Sequence, residues 1–128
     1  VEPSTPVAPV LDAAALENLL SVLGGEFEYL AELIDSFLED APQLLAELNQ
    51  FVEAGDATGV RRVAHSLKSN GADFGATTFS DLCKELEMVG KSGVLNGVAG
   101  LAAQVGTEYG RVEVALEMVR SEGRIPVR

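Results

Sequence analysis

His65 is the only histidine among 128 residues, and Arg61, Arg62 and Lys68 bracket it. An imidazole in such company can act as a nucleophile near neutral pH, because one ring nitrogen carries a free lone pair while the other holds a proton that a hydrogen bond can fix. Read as a helix, Val60, Val63, Ala64, Leu67, Gly71 and Phe74 fall in one apolar sector, and His65 lies roughly 150° from its centre, facing water. Ser69 and Ala72 follow one and two turns later on the His65 face, with Arg61 and Lys68 flanking them. Small neighbours leave the ring open to the surface of another protein. The cations would offset the charge of a phosphoryl group, about −2 at neutral pH. Taken one at a time, a lone histidine and a few helix charges are usually solvated surface; the combination on one face is what points to a phosphate carrier.

The rest of the chain offers no chemistry of its own. It has no Gly-rich phosphate loop, no carboxylate cluster suited to magnesium, and no Ser or Cys with a base partner. Phosphoryl transfer is mainly positioning and charge neutralisation, with metal ions carrying much of the latter. The expectation is therefore that this chain binds no metal or cofactor and that Mg²⁺ comes with the partner. One histidine cannot supply the facing ligands of a metal or haem bundle. Cys83, the single cysteine, falls on an apolar helix face and reads as core. A lone thiol suits a reducing compartment, and cytoplasm is the expected location.

The net charge is −11. Residues 1–60 hold twelve acids and no Lys or Arg, whereas 61–128 hold eight acids and all nine basic side chains. Such a field disfavours nucleic acid and direct contact with an anionic membrane. No charge-free apolar run approaches the roughly 20 residues of a membrane span.

Apolar residues recur at three and four positions, with no convincing alternation, so the chain reads as all-α. A short first helix runs from Leu11 to Leu23, stopped by Gly24-Gly25, and a long amphipathic helix from Glu26 to Val52 contains Pro42, which should bend it. Asp56 caps a third helix that extends to Gly75, and Thr77 or Thr78 caps a fourth that Gly90 and Gly93 close. A fifth covers Asn96 to Glu122, striped by Val98, Leu101, Ala102, Val105, Tyr109, Val112, Leu116 and Val119. Short connections between long helices give an up-and-down antiparallel four-helix bundle, with the additional short N-terminal helix laid across one end. The proline-bearing residues 1–9 read as a linker, 10–125 as one folded domain, and 126–128 as a tail.

The stretch Ala64-His65-Ser66-Leu67-Lys68-Ser69, then Ala72-Asp73-Phe74-Gly75-Ala76, continued by Leu82-Cys83 and Leu86-Glu87, resembles the signature of histidine phosphotransfer (HPt) domains over some two dozen residues. The helical layout around it is similar to that family's bundle. The resemblance implies that His65 is phosphorylated, that Lys68 neutralises the phosphate, that Ser69 occupies a small-residue position often held by glycine, and that Glu87 orients the imidazole. It also implies a relay role, in which a receiver-domain aspartyl phosphate donates to His65 and His65 donates to another response-regulator aspartate. The chain itself would then be a carrier without kinase activity. Arg61, Arg62, Ser69 and Ala72 would meet the receiver, with exposed residues of the second and third helices around them. The upstream linker suits a hybrid sensor kinase whose kinase and receiver domains are further partners. Two alternatives stay open: the N-terminal phosphotransfer domain of a chemotaxis-type kinase, charged by an ATP-binding domain, and a non-phosphorylated helical scaffold. The apolar stripes can be satisfied within one bundle, so a monomer is expected. Gly71 departs from the family's usual Ala or Ser at a cost of about 1 kcal/mol in helix propensity.

Overall fold

The computed structural model describes residues 10–125, and the linker and tail expected at 1–9 and 126–128 lie outside them. Five helices follow in order: α1 (Ala13–Val22), α2 (Phe27–Ala54), α3 (Ala57–Asp73), α4 (Thr77–Ser92) and α5 (Val98–Glu122). No strand occurs among the described residues. Each of α2 to α5 packs on the next, and α2 returns to α5, closing a four-helix ring. The start of α1 sits on the α3–α4 turn through Asp12 N–H donating to the Gly75 carbonyl at 2.9 Å.

The caps explain most boundaries. Asp12 accepts from Ala14 N–H and Asp56 from Gly59 N–H, both at 3.0 Å, satisfying donors that the first turn leaves without a partner. Gly55 and Gly93 end α2 and α4 in the left-handed conformation. α2 continues as one helix through Pro42. Two expectations fail. α4 is not capped by Thr77 or Thr78: its N-cap is the fully buried Ala76, which has no side-chain acceptor, while Thr77 Oγ1 turns back towards the Gly75 carbonyl at 3.5 Å. Gly90 does not close α4 but lies inside it, buried against α3. The helix can approach so closely there only because Gly90 has no side chain. A Cβ at that position would stand 2.8 Å from the Arg61 amide nitrogen and 2.9 Å from the Ala57 carbonyl oxygen.

The core runs the length of the ring. Leu30, Ile34 and Leu48 from α2, Val60 and Leu67 from α3, Phe79 and Leu86 from α4, and Val105, Val112 and Leu116 from α5 are completely buried. Phe37 lies at its centre, with ring centroids 5.3 Å from Phe74, 6.4 Å from Phe79 and 5.9 Å from Tyr109, in the tilted and edge-on arrangements that aromatic quadrupoles favour. Gly71 is part of this packing. A Cβ there would meet the Phe79 ring at 2.6 Å, so the glycine makes room for that aromatic side chain. Cys83 is core, as its helix face implied, and burial pushes its thiol up to about 12. Glu108 is buried on the α5 stripe and accepts from Arg111 Nη1 at 3.2 Å. Asp35 on α2 takes three hydrogen bonds from Nε and Nη2 of Arg120 on α5, with the shortest at 3.0 Å, at a surface position where such pairs contribute about 0–1 kcal/mol.

Two stability outcomes follow. Gly90→Ala should destabilise by about 1–3 kcal/mol in urea unfolding even though alanine favours helix by about 1 kcal/mol, because backbone on α3 cannot yield as a side chain can. The Tyr109 hydroxyl is buried without a hydrogen-bond partner among the described residues. Tyr109→Phe should therefore raise the unfolding midpoint, by about 1 kcal/mol of stability, with no change in the m-value.

Candidate functional site

The site forms where α3 and α4 run antiparallel and unusually close. Gly71 on α3 admits Phe79 from α4, Ser80 Oγ on α4 donates to the Lys68 carbonyl at 3.2 Å, and Gly90 on α4 rests on the backbone of Ala57 and Arg61. These contacts fix the register of the two helices on either side of one side-chain cluster. Within it, Glu87 from α4 bridges two residues of α3: its Oε2 lies 2.8 Å from His65 Nδ1, and its Oε1 accepts from Lys68 Nζ at 2.6 Å.

With a carboxylate at 2.8 Å, His65 Nδ1 is the nitrogen that carries the proton and donates. The neutral ring then presents Nε2 with a free lone pair. The imidazole is 60% exposed, and the Glu87 contact lies on its Nδ1 side. Glu87 is only 19% exposed and Lys68 28%. The hydrogen bond from Lys68, reinforced by that from His65 and the nearby positive charge, holds the Glu87 carboxyl below its ordinary value despite partial burial.

Around the ring, Thr58, Arg61, Arg62, Ser66 and Glu87 line an open cleft with His65. The structure thus brings together His65, Lys68, Glu87, Arg61 and Arg62. Ser69 and Ala72 are exposed further along α3 and do not line this cleft. Lys68, expected as a cation near the ring, is half-buried and bonded to the carboxylate that also meets His65. Arg61 and Arg62 make no ion pair among the described residues; the Arg62 guanidinium sits 5.8 Å above the centre of the Phe51 ring on α2. Thr58, Ser66 and Phe51 do not stand out in the sequence. Thr58 is seven residues before His65 and could have been found on the same helical face. Phe51 reaches the site across a tertiary contact and leaves no such signal.

No group of three or more His, Cys, Asp or Glu side chains suited to a metal occurs among the described residues, and none of the described helices is long and apolar enough to cross a membrane. A depressed carboxylate contributes stability that is present at neutral pH and lost as pH falls through its folded value, which here lies below 4.5. In a carbon-13 NMR titration the Glu87 carboxyl should accordingly reach its midpoint below 4.5 in the wild type and move up towards the ordinary range in Lys68→Met. An unchanged midpoint would mean that Lys68 does not hold the carboxylate.

A search of curated proteins finds no match. Among solved structures the chain is similar to histidine-containing phosphotransfer protein B (HptB) from Pseudomonas aeruginosa PAO1. The two are 32% identical, with a TM-score of 0.82 over 91% of this chain and 98% of that one. The Hpt domain family model matches residues 32–121, a span that contains α3, α4 and the whole His65–Glu87–Lys68 cluster. With the helical ring, the exposed histidine and that match in agreement, the chain belongs to the Hpt domain family, the histidine phosphotransfer domains of phosphorelay signalling.

Proposed function

We propose that His65 is the residue that carries the phosphoryl group, taking it on Nε2 from the aspartyl phosphate of one receiver domain and giving it to the aspartate of another. The observation that carries this reading is the 2.8 Å contact between Glu87 and Nδ1 on a ring that is otherwise open to solvent. Attack by the Nε2 lone pair forms the N–P bond while the acyl-phosphate P–O bond breaks, its electron pair leaving with the receiver's carboxylate. The ring becomes positively charged as the bond forms. The Nδ1 proton stays on the ring, and the Glu87 carboxylate beside it stabilises that charge, as the buried aspartate does for the histidine of a serine-protease triad. The reverse step discharges the phosphoryl group onto the second receiver.

In this reading Lys68 offsets negative charge beside the ring, and Arg61, Arg62, Ser69 and Ala72 belong to the surface that meets the receiver. Mg²⁺ belongs to the receiver's acidic pocket, which complements the basic residues of the cleft. The chain acts as a monomeric carrier in the cytoplasm, has no kinase activity of its own, and serves either alone or as the phosphotransfer part of a hybrid sensor kinase.

The test is label transfer from a phosphorylated receiver with Mg²⁺, followed at alkaline pH, where phosphohistidine survives. Wild type should take up label and His65→Gln none. Glu87→Ala should retain transfer at about one-tenth the rate, the scale of one charge-assisted hydrogen bond. If an ATP-binding kinase domain labels the chain where receivers do not, the donor is a chemotaxis-type kinase. If neither labels it, the carrier reading falls.

A further inference from the structure

The charges at the cluster do not balance around Lys68 alone. Its ammonium is 2.6 Å from Glu87 Oε1, so the pair is already neutral before any phosphoryl group arrives. A phosphoryl group adds about −2 at neutral pH. Among the residues that line the cleft, only Arg61 and Arg62 remain to meet it, and neither is paired with an acid among the described residues.

Arg62 is the better placed of the two. Its guanidinium rests on the Phe51 ring at 5.8 Å, an arrangement that restrains a flexible side chain and leaves its N–H donors free at the edge. The seat is itself built: a Cβ at position 59 would lie 2.5 Å from the Phe51 ring, so Gly59 is what lets that ring lie flat against α3. Phe51 belongs to α2, on the other side of α3 from α4. Glu87 engages Nδ1 from the α4 side, which leaves Nε2 as the nitrogen without that contact, and His65 and Arg62 line the same cleft.

We propose that Arg62, held on the Phe51 ring beside His65, is the residue that contacts the phosphoryl group on Nε2, and that Lys68 is a positioning residue acting through Glu87. This rests on the reading of His65 as the carrier. It assigns Arg62 to the reacting group itself and not only to the receiver's surface.

A small donor separates those two roles. Potassium phosphoramidate transfers its phosphoryl group to histidine without any receiver: the Nε2–P bond forms, the donor's P–N bond breaks, and the protonated nitrogen leaves as ammonia. Uptake by the full chain would be followed by phosphorus-31 NMR. Label on wild type and none on His65→Gln establishes the carrier and so isolates the question of Arg62. Arg62→Gln should then slow uptake about tenfold, the scale of one charge-assisted contact. Arg62→Lys should fall between the two, and Phe51→Leu should slow uptake by a smaller factor with the arginine still present. Arg124→Gln, just beyond the C-terminus of α5 and outside the cleft, controls for the change in net charge. Lys68→Met should alter the nitrogen-15 shifts that report the His65 tautomer, while Arg62→Gln leaves them unchanged. Wild-type uptake by Arg62→Gln would overturn the proposal, whether or not its affinity for a receiver drops. So would tautomer shifts in Lys68→Met that match wild type.

Discussion

The short distance between α3 and α4 is the constraint on which the site depends. A glutamate side chain has limited reach, and Glu87 must touch two residues of the opposite helix at once, at 2.8 and 2.6 Å. Helices packed on ordinary side chains sit about 8–10 Å apart. Here the spacing is set at three levels: Phe79 fills the space left by Gly71, Ser80 bonds the Lys68 carbonyl, and Gly90 allows the two backbones to meet near Arg61. The glycine at position 71 lowers helix propensity, yet it is part of what aligns the histidine with its carboxylate. The local cost and the tertiary gain arise from the same missing Cβ.

That alignment resolves an electrostatic conflict. In the proposed carrier reading, a carboxylate beside the imidazole selects the tautomer and stabilises the charge that develops on attack, but it also repels an incoming phosphoryl group. Lys68 bonds to the second carboxylate oxygen, which leaves Oε2 for His65 and, in that reading, offsets much of the repulsion. The three side chains work as a unit, so each would be misread if removed singly and interpreted alone.

On the larger scale the chain is strongly acidic, with its basic residues confined to the half that begins at Arg61. A basic cleft on such a molecule is a local exception to its field. An acidic partner is repelled by most of the surface and accepted at one place, which favours orientation and discrimination over raw affinity.

Much of the fold is legible in the order of residues alone. Periodicity locates all five helices to within a few residues, Asp56 announces the start of α3, and the angle between His65 and the apolar stripe correctly places the ring in water. Those features depend on directions within one helix, which the local sequence determines. The cap of α4, the role of Gly90, the partner of Lys68 and the seat of Arg62 are not legible in the same way. Each depends on how far apart two helices lie and in what register. Gly90 looks like a helix terminator along the chain and proves to be a contact point, because its neighbour Arg61 is twenty-nine positions away in sequence and touching in space. The helices, the solvent-facing histidine and the family signature around it follow from residue order, because each is settled within one helix. Which nitrogen of His65 meets a carboxylate is settled by packing, because Glu87 is carried on a different helix.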